Sequence, residues 1–212
     1  GKLVVATSEE ELPRLGELKK RGAANGLSGI KELSAGELKE YEPHVAGIAG
    51  LLVPDTGIVD YSEVCNAFAR LISEAGHPVQ TDTAFESLAR KNGRLIINTN
   101  RDEIGAKYLI NCAGLQSDRI ARKCGVNPGL KIVPFRGEYY KLKKEKYTLV
   151  KNLIYPVPDP AFPFLGVHFT RMINGGVEAG PNAVLAFKRE GYSKFSFSLR
   201  DSLDTLTYPG FV

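Results

Sequence analysis

The sequence is poor in cysteine, and its cysteines follow neither a metal-binding nor a secreted pattern. The three are Cys65, Cys112 and Cys124, and no two of them form a CxxC pair. Paired cysteines at that spacing would indicate a zinc site or a redox motif. We therefore expect reduced thiols in an intracellular protein rather than a disulfide framework.

Long apolar runs and several well-known motifs are also missing. No stretch approaches the roughly 18 apolar residues that a membrane-spanning helix needs, and no charged-then-apolar leader opens the chain. These absences predict a cytoplasmic location. The sequence contains no HExxH, GxSxG, P-loop, zinc-ligand spacing or N-glycosylation site, so nothing in it indicates a metalloprotease, a serine hydrolase or a P-loop enzyme.

The rest of the composition is that of an ordinary globular protein. The 212 residues are 43% hydrophobic and 25% charged, with a mean hydropathy of -0.15. A net charge of +4 favours an anionic ligand but falls short of a nucleic-acid-binding surface. The basic run 141–146 lacks interleaved aromatic residues, so we interpret it as a solvated hairpin tip and expect no nucleic-acid partner.

Capping residues and apolar periodicity predict the helices. Ser8 with Glu11, and Ser34 with Glu37, have the spacing of a capping box. Apolar residues that recur on one face indicate a further helix, which Gly76 ends. The predicted helices are about 8–24, a short one from Ser34 that Pro43 stops, 62–75, 117–124 and 198–206.

Alternating patterns and turn residues predict the strands. Asn92-Gly93 suits a tight hairpin turn, and the apolar run around Tyr108 is expected to be a strand buried on both faces. The predicted strands are 1–7, 48–53, 83–90, 94–99, 106–112, 129–143, 150–157, 164–172 and 176–181. The fold class is therefore α+β, with a mixed, largely antiparallel sheet and some βαβ character.

Three small residues, Cys112, Ala113 and Gly114, stand where the last buried strand runs into a helix. Such a turn lets a ligand approach the backbone closely, because no large side chain is in the way. A tight turn that needs glycine for its backbone angles explains the same pattern. Local sequence leaves both interpretations open.

Several longer motifs resemble one family. "INCAG" after an amphipathic helix and a hairpin resembles the flavin-contacting segment of the FAD-dependent oxidoreductases of the D-amino-acid oxidase superfamily. "GLLVPDTGIVDY", "VPFRGEYYKL", "LIYPVPDPAFPFLGVHFTRMINGG" and "AGPNAVLAFKREGY" resemble the L-2-hydroxyglutarate oxidases and dehydrogenases within it. The resemblance covers nearly the whole chain, and residues 153–192 are its most specific part.

Two elements of the superfamily are expected to be missing from this sequence, the opening GxGxxG unit and the closing segment that returns to the flavin. Members of the superfamily open with a GxGxxG unit that holds the cofactor pyrophosphate on a helix N-terminus, and this sequence has no such spacing. We therefore expect an internal piece of a longer flavoprotein that would pack on the missing segments of its parent chain. Residues 1–57 are assigned to the substrate domain, 58–128 to the middle of the FAD-binding domain, and 129–212 to the rest of the substrate domain.

The resemblance implies oxidation of a small 2-hydroxy dicarboxylic acid, with FAD as the hydride acceptor. For the cofactor, it implies contacts from Phe85, Cys112, Ala113 and Gly114. An amine or amino-acid oxidase and an inactive fragment without FAD are the alternatives. A peripheral membrane contact is expected if the electron acceptor is a quinone.

An enzyme that oxidises 2-hydroxy acids needs a base and groups that bind carboxylates. His168 is the candidate base, because an imidazole titrates near neutral pH; a structural histidine is the alternative. Arg136 is the candidate carboxylate clamp, with an ion pair to a neighbouring acid as its alternative. Further candidate substrate ligands are Arg171, Asn182 and Tyr140, and the sequence does not decide whether Tyr139 or Tyr140 faces the site.

Overall fold

The computed structural model describes residues 1–162 and 164–211, so Pro163, within one of the family-like motifs, and Val212 lie outside the described part. The strands are β1 (Lys2–Ala6), β2 (Lys31–Ser34), β3 (Ala49–Val53), β4 (Phe85–Lys91), β5 (Arg94–Thr99), β6 (Glu103–Ala106), β7 (Phe135–Lys141), β8 (Leu153–Pro156), β9 (His168–Arg171) and β10 (Val177–Leu185). The α-helices are α1 (Leu12–Ala24), α2 (Ala35–Tyr41), α3 (Tyr61–Glu74), α4 (Ser117–Lys123) and α5 (Leu199–Leu206).

The chain divides into two compact units. The first unit contains residues 1–67 and 137–183, and the second contains residues 68–136 and 184–212. The segment 1–57 therefore lies within the first unit, whereas the segment 129–212 is divided between both. Among the described residues, no helix combines the length and the apolarity that crossing a membrane requires.

The first unit is built on a seven-stranded sheet with the order β2-β3-β1-β8-β9-β10-β7. β1 is parallel to β8 and antiparallel to β3, and β9 is antiparallel to both β8 and β10. The mixed, largely antiparallel sheet that the sequence predicts is therefore confirmed. Alternate side chains of β1 supply two apolar clusters, one with Leu15 of α1 and one with Leu38 of α2, so this strand is buried on both faces.

A buried carboxylate fixes the loop that leads into β8. Glu42 is fully buried, and its oxygens accept hydrogen bonds from the backbone N–H of Lys151 and from the backbone and side chain of Asn152. Because these donors satisfy the carboxylate without a cation, its burial is tolerated and the loop is held in one place.

The second unit contains a three-stranded antiparallel sheet with the order β4-β5-β6. Asn92 and Gly93 join β4 to β5 with positive φ angles of 52° and 75°, the backbone that a two-residue hairpin turn requires. This predicted hairpin is confirmed, as are helices α4 and α5.

Two details of the sequence interpretation are wrong. Ser34 and Glu37 form the predicted reciprocal capping box, but the Ser8 side chain makes no capping bond. The helical segment begins there with a short 3-10 turn. The Glu11 carboxylate instead accepts hydrogen bonds from the backbone N–H and the hydroxyl of Thr7.

The second wrong prediction is the buried strand at 106–112. β6 ends at Ala106, and Tyr108 and Ile110 are 85% and 83% exposed. No strand among the described residues pairs with this run. An apolar run becomes a buried strand only where neighbouring strands satisfy its backbone groups, and local sequence does not show whether they are there.

Candidate active site

His168 is a buried histidine with one ring nitrogen already committed. It opens β9 and is 4% exposed. Its Nδ1 lies 2.8 Å from the carbonyl oxygen of Gly166. Because a carbonyl oxygen only accepts, this bond places the proton of a neutral imidazole on Nδ1 and leaves a lone pair on Nε2.

The second ring nitrogen of His168 is available. In the part of the chain that the structure describes, Nε2 has no hydrogen-bond partner. Every fully buried side-chain nitrogen or oxygen atom of the described residues has a hydrogen-bond partner. Because Nε2 has none, it is not fully buried and is accessible to solvent. A buried imidazole with a fixed tautomer and an accessible lone pair has the geometry of a general base.

Two tyrosines surround this imidazole. The ring of Tyr155 on β8 stacks on it, with centroids 4.0 Å apart and planes at 14°. The ring of Tyr139 on β7 meets it edge to face at 6.4 Å and 79°. Tyr139 is therefore the tyrosine that contacts His168, whereas Tyr140 is 75% exposed. Nothing in the sequence singles out Tyr155, because its position depends on which strand lies beside β9.

Tyr139 is 46% exposed; the partial desolvation of its ring, followed by the nearby Tyr155 and Glu178, raises the pKa of its hydroxyl. Its hydroxyl therefore stays protonated and can donate a hydrogen bond. A glycine makes the arrangement possible. A Cβ atom on Gly180, which pairs with His168, would lie 2.7 Å from the Tyr139 ring and 2.8 Å from a backbone oxygen.

The first unit contains a cavity of about 640 Å³, which is lined by Tyr155 but not by His168. Tyr155, Thr170 and Arg171 contribute side chains to its wall, together with the segments 56–61 and 173–175. The predicted ligand Arg171 is exposed and donates a hydrogen bond to the carbonyl of Lys151 at 3.3 Å. Asn182, on β10, is exposed and lies outside this wall.

Arg136 lies in the second unit. Its Nη1 donates to the carbonyl oxygens of Gly191 and Ser193, both at 3.1 Å. The guanidinium therefore holds a loop through carbonyl groups. Its role as a carboxylate clamp stays a prediction.

A second cavity, of about 1070 Å³, lies within the second unit. Two of the predicted cofactor residues, Phe85 and Ala113, line it. Gly114 follows with a φ of +49°, and no atom lies within 4 Å of where its Cβ would be. The turn thus needs glycine for its backbone angle, and it also leaves the backbone open to a ligand. Cys112, which the sequence predicts to be buried, is exposed, because the run before it is not a strand.

The wall of this second cavity is basic. Arg119 and Lys131 are paired with Asp201 and Asp204, each at 2.6 Å, while Lys123 and Arg200 form no ion pair among the described residues. Paired acids with lowered pKa values keep the first two cations in place. Large volume, open backbone and uncompensated positive charge fit an anionic, extended ligand such as a dinucleotide.

The second unit also contains a buried ion pair that sequence reasoning missed. Arg189 donates to both oxygens of Asp118, at 2.7 and 3.3 Å, and the two side chains are 3% and 0% exposed. Burial is the largest influence on Asp118 and raises its pKa, but the bonds from Arg189, the Ile132 backbone and Arg122 together lower the pKa to about 2. In the sequence, Asp118 suggests only a residue of a helix N-terminus.

No group of three or more His, Cys, Asp or Glu side chains among residues 1–162 and 164–211 is arranged to hold a metal ion.

Comparison with known proteins defines the class to which this fold belongs. Residues 1–206 match the family described as FAD dependent oxidoreductase (DAO). The chain belongs to this family.

The chain is also similar in sequence to individual proteins. The chain is 52% identical over its whole length to the L-2-hydroxyglutarate dehydrogenase of Indibacter alkaliphilus, of which it covers 53%. It is 46% identical to the mitochondrial L-2-hydroxyglutarate dehydrogenase of Homo sapiens, of which it covers 48%. The chain thus spans about half the length of the curated relatives it matches.

Solved structures share the fold. L-alpha-glycerophosphate oxidase from Mycoplasma pneumoniae, with FAD bound, superposes with a TM-score of 0.75 at 25% identity, over 89% of this chain and 50% of that one. Glycine oxidase from Bacillus cereus gives a TM-score of 0.70 at 17% identity, over 97% of this chain and 54% of that one. At that identity the second comparison shows the fold alone.

Proposed function

We propose that the protein containing this chain oxidises L-2-hydroxyglutarate to 2-oxoglutarate, with FAD as cofactor. The observation that carries the proposal is the identity of 52% and 46%, across the whole chain, to proteins named L-2-hydroxyglutarate dehydrogenase. The fixed tautomer and open Nε2 of His168 supply the base that such a reaction needs.

The second unit contains residues that fit the cofactor. Phe85, Ala113 and the open backbone at Gly114 would hold it in the larger cavity, and Lys123 and Arg200 offer charges for its phosphates. Cys112 would contribute through its backbone. FAD, when bound, accepts the hydride from the carbon that carries the hydroxyl group.

His168 takes the proton. Nε2 accepts the proton from the substrate hydroxyl while the hydride leaves the carbon that carries this hydroxyl, so that the C–O bond becomes a carbonyl. The resulting imidazolium is stabilised by the Gly166 carbonyl at Nδ1 and by the face of the Tyr155 ring. The protonated hydroxyl of Tyr139 is a hydrogen-bond donor close to the same ring.

The predicted carboxylate ligands differ in their support. Arg171 lines the cavity next to Tyr155 and is the best placed of them. Arg136 is engaged with loop carbonyls, and Tyr140 and Asn182 are exposed. We therefore rank Arg171 first.

The test is anaerobic reduction of the full-length, FAD-loaded protein by a panel of substrates. L-2-hydroxyglutarate should bleach the flavin absorption, whereas D-2-hydroxyglutarate, glycine and D-alanine should not. Bleaching by an amino acid instead of the hydroxy acid would establish the amine oxidase alternative. Oxygen and a quinone analogue, supplied in turn, then identify the electron acceptor, and use of the quinone would agree with peripheral membrane contact.

A further inference from the structure

The cavity beside Tyr155 contains a lysine, Lys2, that forms no ion pair among the described residues. Lys2 lies on β1, half-buried, with its Nζ 5.1 Å from the centroid of the Tyr155 ring. No carboxylate among the described residues forms an ion pair with it. Pairing of Lys2 with Val53 and Leu153 in the neighbouring strands fixes its backbone.

The other charges of this cavity are already engaged. Lys141 forms an ion pair with Glu178 at 3.5 Å and is 81% exposed. Asp60 accepts a hydrogen bond from the backbone N–H of Ser62, and Arg171 donates to the carbonyl of Lys151. Among the described residues, Lys2 is therefore the cation of this wall with neither an ion pair nor a hydrogen bond, which leaves its ammonium group available to a negatively charged ligand.

The strand order places Lys2 at a useful distance from His168. β1 and β9 lie on either side of β8, so their backbones are two strand spacings, or about 10 Å, apart. Tyr155 of β8 contacts both side chains. A substrate whose hydroxyl lies at His168 and whose chain extends across Tyr155 would bring its far end to the Lys2 ammonium.

We propose that Lys2 determines specificity for dicarboxylic substrates by binding the carboxylate remote from the reacting carbon. The inference rests on the proposed function for the identity of the reaction, but the binding of the carboxylate is a separate property. A 2-hydroxy acid without the second carboxylate would leave Lys2 unpaired and gain nothing from it.

The test is a titration that needs no turnover. Perturbation of the flavin spectrum of the full-length, FAD-loaded protein gives the Kd of glutarate and of butyrate, which differ by one carboxylate. In Lys2→Met and Lys2→Gln, the Kd of glutarate should rise about 10- to 100-fold, as for a lost charge-assisted hydrogen bond, while that of butyrate stays constant. Lys2→Arg should keep most of the affinity for glutarate. Lys20→Met is the control, because Lys20 is a surface residue of α1 that is 80% exposed.

Steady-state kinetics separate this inference from the proposed function. A rise in KM for L-2-hydroxyglutarate with little change in kcat, and no change for L-2-hydroxybutyrate, would support Lys2. An unchanged Kd for glutarate in Lys2→Met and Lys2→Gln, or an equal loss for butyrate, would overturn it. If the unmodified protein does not oxidise L-2-hydroxyglutarate, the proposed function fails, whereas the glutarate titration still decides the role of Lys2.

Discussion

The imidazole of His168 stacks on the ring of Tyr155 with centroids 4.0 Å apart, while its Nδ1 lies 2.8 Å from the carbonyl oxygen of Gly166. The two contacts fix the plane and the tautomer of the ring. They leave Nε2 as the one ring nitrogen able to take a proton from a ligand.

Replacing His168 by alanine should lower kcat for L-2-hydroxyglutarate by about 10²- to 10⁴-fold, the range expected when a general base is removed. The flavin should stay bound, because none of the cofactor candidates is altered. Stopped-flow reduction and the bound flavin absorbance measure the two effects. His77→Ala is the matched control, since His77 is exposed; equal turnover in both variants would remove His168 from the mechanism.

The stack itself can be tested through Tyr155. Tyr155→Ala removes the ring that orients His168 and should lower kcat about 2- to 10-fold, corresponding to the free energy of an aromatic contact. Tyr155→Phe keeps the ring and should retain kcat. The pH dependence of kcat in both variants is the measurement that shows whether His168 is affected. If the phenylalanine variant is as slow as the alanine variant, the hydroxyl matters rather than the stack.

The ion pair between Asp118 and Arg189 should make stability depend on pH in acid. The pKa of Asp118 is about 2 in the folded protein, below its value in an unfolded chain, so its contribution is present above about pH 4 and is lost as the pH falls towards 2. Urea unfolding of the full-length protein at a series of pH values measures this loss.

Asp118→Asn should lower the free energy of unfolding by about 1 to 3 kcal/mol, because the buried Arg189 then keeps only the more distant carboxylate of Asp204, 3.7 Å away. The substitution should also remove the part of the acid sensitivity that comes from Asp118, while the part from Asp201 and Asp204, whose pKa values are also lowered, remains. Asp55→Asn serves as the control, because Asp55 is exposed. A small and equal change in both variants would show that the pair adds little.

The cofactor assignment can be tested at Ala113, which lines the larger cavity. Ala113→Phe would fill the space beside the turn and should lower the FAD content of the purified full-length protein severalfold. Ala89→Phe, at an exposed position on β4, should leave it unchanged. Flavin absorbance after gel filtration is the measurement, and full retention in Ala113→Phe would place the cofactor elsewhere.

Local sequence determined the elements whose signals are complete within a few residues. The capping box of Ser34 and Glu37 and the turn at Asn92 and Gly93 are both present as predicted, since their hydrogen bonds and backbone angles involve only neighbours in the chain. The family could also be inferred from the sequence, because its long motifs, such as residues 153–192, are contiguous in the chain.

Only the tertiary structure decided which side chains surround His168. The alternation of β7 leaves Tyr139 and Tyr140 equivalent, and neither Tyr155 nor Lys2 stands out in the sequence. The order β1-β8-β9-β10-β7 brings them together through hydrogen bonds between strands that are distant in the chain. The wrong prediction of a strand at 106–112 has the same cause. An apolar run shows which side chains could be buried, but whether a partner strand lies beside it depends on the whole fold.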